Sequence, residues 1–288
     1  MAIARRTAAA ADRLWRRVDP QAIAMTWRGS VLAELFTTVA AAQGIAAAGA
    51  DSYVDEALAA QDVAVTAAAE VRTAAFVGVA SDGRDLASLL QWPAFTALKA
   101  IGGGATVPQA MAVGRTHLDM IVRTQVEDAG RAADGVAIAV RPQVGYVRMV
   151  SPSACSRCVV LAGRWYRYNT GFQRHPRCSC AMVPAREDDG DDLRTDPRRA
   201  FDAMSEAEQD RVFTKAGARA IRDGADVSQV VNARRGMYTA GGLRLTREST
   251  TARGLGRPLR LMPEQIYAEA HGSRDEAIRL LRRFGYIS

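Results

Sequence analysis

Cys155-Ser-Arg-Cys158, sixteen residues of spacer, then His175-Pro-Arg-Cys178-Ser-Cys180: this window holds all four cysteines of a 288-residue chain and one of its three histidines. Scattered cysteines are ordinarily small core residues. Two close pairs with a histidine beside the second have the composition of a metal site. A Cys-x-x-Cys turn points two thiolates at one ion, and a second pair roughly fifteen to twenty residues further on closes the shell. Zinc is the expected ion, one per chain, because it takes thiolate and imidazole in a tetrahedral set. Five side chains, Cys155, Cys158, His175, Cys178 and Cys180, compete for four places. The spacing favours Cys155 and Cys158 and does not choose among the other three.

Two other readings of the window are weaker. Disulfides suit secreted or very small domains that lack a core, and this chain is neither short nor opened by a recognisable signal peptide. A redox Cys-x-x-Cys needs a strand–helix setting of thioredoxin type, which the surrounding residues do not supply. The site also reads as structural rather than catalytic. Zinc deaminases pair His-x-Glu with Pro-Cys-x-x-Cys; here the second pair is Cys-x-Cys, and no Glu stands two residues from His175.

The rest of the chain sets the frame. A length of 288 residues suffices for a buried core and suggests about two domains. No unbroken run of about eighteen apolar residues occurs, so no membrane partner is expected. The net charge is +7, and the excess is arginine: of 38 basic residues only Lys99 and Lys215 are lysine. Abundant alanine beside it points to a GC-rich coding bias, so arginine over lysine says little. A basic surface still leans towards nucleic acid or acidic partners.

Residues 1–135 read as a helical N-terminal region rich in Ala, Leu, Arg, Gln and Glu. Asp19-Pro20 has the form of an N-cap and first turn, with Ile23, Trp27, Val31, Leu35 and Val39 at helical spacing behind it. Asp51 is expected to cap a helix running through Ala69 or beyond. A short helix follows over Asp85–Leu90, stopped near Pro93, and Gly102-Gly103-Gly104 is a break. A long helix runs from Val107 to about Gly135; His117 is read as a helix-face residue, not a ligand. At Gly135 the character changes. Val136–Val140 and Val144–Val150 read as strands, with Trp165–Tyr168 as a third. Residues 136–186 thus form a β-rich module too small for much core, where a structural metal supplies stability.

Residues 187–203, opening on Glu187-Asp-Asp-Gly-Asp-Asp192, read as an acidic linker. Residues 204–288 read as C-terminal helices. Ser205-Glu-Ala-Glu208 is a capping box for a helix expected to reach Gly224, and Asp226 caps another. Within this region residues 234–260 look like an irregular basic arm. It carries Arg234, Arg235, Arg244, Arg247, Arg253, Arg257 and Arg260 against the single acid Glu248, which makes these seven the candidate nucleic-acid contacts, with phosphates bound regardless of sequence. The fold class is therefore mainly α with a small β-rich, zinc-stabilised module (α+β), long N-terminal helices and a C-terminal helical region. No phosphate loop, dinucleotide fingerprint, His-Glu-x-x-His or Gly-x-Ser-x-Gly elbow is present, so no enzymatic activity is expected.

With these residues in view, Val122-Arg-Thr-Gln-Val126, then Cys-x-x-Cys, then Gly163-Arg-Trp165, then His175-Pro-Arg-Cys-Ser-Cys180 resemble the Mu F-like minor head proteins of tailed bacteriophages. The likeness covers about residues 107–184. Ser179 departs from the arginine the family usually has there. The C-terminal part, including Val231-Asn-Ala-Arg-Arg-Gly236 and the ending Arg-Leu-Leu-Arg-Arg-Phe-Gly-Tyr286, is similar to versions from actinobacterial phages and prophages. The resemblance implies a structural virion protein, placed in the head interior at the portal vertex and in the host cytoplasm during assembly. Its implied partners are the portal protein, other head proteins and, through the basic arm, phage DNA without sequence preference; its implied role is to assist DNA packaging or ejection. The alternatives are a phage-borne nuclease or toxin-like effector on such a scaffold, and a zinc-containing DNA-binding protein.

Overall fold

The computed structural model describes residues 2–288 except 151–153, 173, 177, 179, 188–195, 249–250, 253–254 and 257–258, and the backbone alone of 251–252 and 255–256. The described residues are mainly helical with small antiparallel sheets. They fall into two compact units, Met1–Arg148 with Trp165–Asp192, and Met149–Arg164 with Leu193–Ser288.

The first unit is built on helices. These are α1 (Ala2–Trp15), α2 (Ile23–Thr26), α3 (Leu32–Ala47), α4 (Ala50–Ala59), α5 (Leu86–Leu89), α6 (Trp92–Gly102) and α7 (Val107–Ala139), with a π-helical turn over Trp27–Val31. Helix α7 has 33 residues and spans about 50 Å. It starts at a complete capping box: the Thr106 hydroxyl accepts from the Gln109 backbone, and the Gln109 side chain accepts from the Thr106 N–H at 3.0 Å. Helices α1, α3, α4 and α6 all pack on it. Leu118, Ile121, Val122 and Val126 give it the apolar stripe that meets Trp15, Trp27, Leu35 and Val39. Trp15 and Trp27 cross edge-to-face at 5.3 Å.

Several boundaries differ from those the sequence suggests. Asp19 does not cap a helix; its Oδ1 accepts from the Gln21 N–H at 2.9 Å, closing a local turn, and α2 begins only at Ile23. Helix α4 stops at Ala59 instead of Ala69, because Gln61 folds back onto the Ala57 carbonyl and Asp62 adopts a positive φ of 57°. Pro93 opens α6 rather than ending a helix, sitting in its first turn where no N–H is needed. Val136–Val140 is not a strand. Ala133, Ala137 and Ile138 are buried at helical spacing, so packing overrides the β-preference of Val136, Ile138 and Val140 and α7 runs on to Ala139. Taken as one stretch, Ile23–Ala59 is long and apolar enough to cross a membrane by length and composition alone. Arg28, Glu34 and Gln43 interrupt it, and its stripe Trp27, Val31, Leu35 and Val39 is buried in the helical core.

Buried polar side chains fix the long connection between α4 and α5. Gln43, 1% exposed, donates to the Val79 carbonyl and accepts from the Gly78 N–H, both at 2.9 Å. Gln125 of α7 accepts from the Ser81 N–H at 2.7 Å and donates to the Ser81 hydroxyl. After α7 the chain turns at Arg141, which is buried and donates to Asp55 at 2.6 Å and Asp51 at 3.3 Å. Strand β1 (Val144–Met149) then pairs antiparallel with β2 (Trp165–Arg167) and also borders β3 (Ala181–Arg186), giving the order β2-β1-β3. Between β1 and β2 lies α8 (Ser156–Leu161).

The second unit holds α9 (Pro197–Asp202), α10 (Glu206–Phe213), α11 (Lys215–Arg222), α12 (Val227–Ala233), α13 (Pro263–Glu269) and α14 (Arg274–Arg283). The expected linker over 187–203 is helical in its last part, where Asp196 caps α9, while 188–195 lie outside the described residues. The capping box at Ser205 is present. The single helix expected from it to Gly224 is split at Thr214, whose φ of 66° ends α10 and whose hydroxyl caps α11. The arm is not irregular throughout. β4 (Met237–Ala240) and β5 (Leu243–Thr246) form a hairpin across Gly241-Gly242, both at positive φ as a two-residue turn of this hand requires. β6 (Thr251–Ala252) pairs with β7 (Leu255–Gly256), and β8 (Arg260–Leu261) joins β5.

Gly114 tests the packing of α7. A Cβ there would stand 2.7 Å from the Trp15 ring and 2.9 Å from the Pro93 carbonyl oxygen, whereas one at Gly102 would meet nothing within 4 Å. Gly114→Ala is expected to lose about 1–3 kcal/mol to overpacking despite the roughly 1 kcal/mol helix-propensity gain, and Gly102→Ala to be neutral or slightly stabilising. Denaturant unfolding of the two variants checks this.

Candidate metal centre

Cys155 and Cys158 sit at the start of α8. Cys155 is its N-cap in extended conformation and Cys158 lies in its first turn, so the i, i+3 spacing puts both thiols on one helical face. His175, Cys178 and Cys180 lie in the connection from β2 to β3, and Cys180 directly precedes Ala181, the first residue of β3. The Cys178 N–H donates to the His175 carbonyl at 3.1 Å, closing a turn. The four cysteines carry no disulfide, and Cys158, Cys178 and Cys180 are at most 2% exposed.

The five candidates come together as two overlapping sets. The ligand atoms of Cys155, Cys158 and His175 lie within 4.8 Å of one another, and so do the sulfurs of Cys158, Cys178 and Cys180. Tetrahedral thiolates about 2.3 Å from a zinc ion stand about 3.8 Å apart, inside that bound. The donor set therefore fits a metal ion, and Cys158 is common to both sets. His175 Nδ1 lies 2.8 Å from the Pro176 carbonyl oxygen, and an Nδ1–H donated there keeps Nε2 as the nitrogen for an ion.

Charged side chains that sequence reading passed over hold this loop. Arg131 of α7 donates from Nε to the Cys180 carbonyl at 2.9 Å and from Nη2 to the Cys178 carbonyl. Its Nη1 also donates to Asp128 at 3.0 Å, and Asp128 pairs with Arg174 at 2.5 Å. Arg148 of β1 approaches the Cys178 sulfur at 3.7 Å while its guanidinium lies 4.3 Å from the Phe172 ring centre. Burial raises the Asp128 carboxyl above its ordinary range and outweighs the opposing pull of Arg174 and Arg131. The signal was available: Asp128 and Arg131 fall beside Val126 and Ala129 on the buried side of α7, where an apolar residue is the rule.

The other candidate residues scatter. His117 is on α7 as read, with its Nδ1 at 2.7 Å from the Thr96 hydroxyl. Of the arm, Arg235, Arg244 and Arg247 are exposed, with Arg247 over the Tyr238 ring at 5.1 Å. Arg253 and Arg257 lie outside the described residues. Arg260 is no surface contact. It is 3% exposed, donates to the carbonyls of Phe284 and Glu248 and to Gln229, and stacks 3.9 Å from the Tyr286 ring. Arg234 is half-buried and spent on Glu264 and Thr214.

Asp134 lines a small cavity on α7 together with Cys180. Burial pushes its carboxyl up to about 6, against the pull of Arg131. An acid raised in the folded state destabilises it once ionised. Stability should fall as pH rises from about 4, where the unfolded chain loses its proton first, and level off above about 6. Asp134→Asn should flatten that fall and be more stable than wild type at neutral pH by roughly 1–3 kcal/mol. Urea unfolding across pH 4 to 8 provides the measurement; parallel curves for the two proteins would contradict it.

The family model of the VG15 protein matches residues 1–207 of the chain. The match spans the helical region and the whole cysteine window. No curated protein and no solved structure gives a match.

Proposed function

The chain belongs to the VG15 protein family, a family of phage-encoded proteins, and from that premise we propose that it is a structural minor head protein of a tailed phage. It acts without catalysis, in the virion or in the host cell during assembly. Its partners are the portal and other head proteins, and it assists the packaging or ejection of DNA. The observation that carries this reading is the family match over residues 1–207, because it covers the Cys/His window that also resembles the Mu F-like minor head proteins.

In this reading the metal is zinc, and its role is mechanical. Cys155, Cys158, His175, Cys178 and Cys180 supply the donors, Arg131 anchors the Cys178 and Cys180 carbonyls, and the ion ties the segments that carry the donors. Arg235, Arg244 and Arg247 give the C-terminal hairpin a cationic face for phosphate contacts that carry no sequence information. Arg234 and Arg260 serve packing instead.

Elemental analysis should return close to one zinc per chain, and Cys158→Ser should lower both zinc content and melting temperature. A zinc-free protein with an unchanged melting temperature would remove the staple. The assembly role is tested by expressing the chain with the portal and shell proteins of its phage and purifying proheads. The chain should sediment with them; proheads that form without incorporating it would refute the assignment.

A further inference from the structure

Along one side of the first unit, α1 and α7 enclose a groove of about 990 Å³. It follows α1 from Arg5 to its end at Trp15 and on past Val18, and α7 from Val107 to Arg123. The 11 residues of α1 from Arg5 to Trp15 give it a length of about 16 Å, three helical turns. Its floor is apolar: Trp15 and Leu118 are buried there, with Met111 beside them. Its rim is cationic. Arg16 and Arg115 share the one carboxylate of Asp12, Arg123 takes Asp119 at 2.8 Å, and exposed Arg5 has no partner among the described residues. Four arginines thus face two carboxylates.

We propose that this groove is a docking site for an acidic amphipathic helix of another protein. An apolar floor of this length between two helices takes the apolar stripe of a third, anchored at i, i+3, i+4 and i+7. The excess arginines then meet carboxylates on the flanks of that stripe, which sets polarity and speeds encounter. A second copy of this chain is the wrong occupant, since it brings the same cationic rim to face its own. Nucleic acid would answer the arginines but leave the apolar floor without a partner. The proposal stands apart from the head-protein reading and survives its failure.

The test pans a displayed library of helical peptides, about fifteen residues long with randomised surfaces, against the full chain. Peptides with an apolar stripe and flanking Glu or Asp should be enriched. Their binding should weaken with salt, and fall about tenfold on Arg5→Glu and again on Arg115→Glu. Arg5→Ala, an exposed and unpaired position, guards against misfolding and should give a smaller loss in the same direction. Enrichment of neutral or basic peptides, no enrichment, or affinities indifferent to Arg5 would overturn the proposal. So would a concentration-dependent dimer abolished by Arg5→Glu, or a DNA duplex that displaces the selected peptides with the same dependence on Arg5.

Discussion

From Gly114 to Ala137, helix α7 presents its neighbours with small or branched side chains, and α1, α3, α4 and α6 all settle against it. The close approach at Gly114 lets the Trp15 ring and the Pro93 carbonyl reach the α7 backbone. From there the edge-to-face contact of Trp15 with Trp27 carries the packing into the turn before α3. Each fully buried Leu, Ile or Val on this axis contributes about 1.5–3 kcal/mol, and α7 is the column along which the helical core is arranged. The consequence for the metal centre is direct, because Asp128 and Arg131 grow from the same column.

Polar groups inside the unit do a different job from apolar ones. Gln43, Gln125 and Arg141 are each nine-tenths buried or more, and each is satisfied by the backbone or carboxylates of a segment distant in sequence. Such bonds add little net stability, but losing one partner strands the other. Gln43 and Gln125 therefore select one placement for the 60–85 connection, which has little regular structure of its own, and Arg141 ties the end of α7 to α4. Arg131 extends the same device to the cysteine loop. It holds two carbonyls rather than any sulfur, so it fixes where the donors stand through the backbone that carries them.

The parts of the fold that were readable in the sequence are those set by local chemistry. The caps at Ser205 and Asp226, the short helix opening at Asp85, the start of the long helix at Val107, the break at Gly102–Gly104 and the strand at Trp165 need only a few adjacent residues, and the metal window is of the same kind. What escaped depends on distant partners. Val136–Val140 has strand-like composition but lies on a helix whose buried face is Ala133, Ala137 and Ile138. The helix after Asp51 ends early because Gln61 finds the carbonyls of Ala57 and Pro184. The supporting shell of Arg131, Asp128, Arg174 and Arg148 draws on three separate stretches of chain, and no spacing rule connects them.

Arginine shows why counting charges was a poor guide to function. One residue type serves four physical ends here. Arg260 lies inside the C-terminal core against Tyr286, Arg141 is a buried tie between α7 and α4, Arg131 is a loop anchor, and Arg235 and Arg244 face solvent. Only the last kind can meet a polyanion. The guanidinium plane stacks and its fork satisfies several carbonyls at once, so burial is open to it when carbonyls or carboxylates surround it. A run of arginines in a sequence is therefore evidence about partners only after the folded chain has taken those it needs, and in the C-terminal arm it takes Arg234 and Arg260 first.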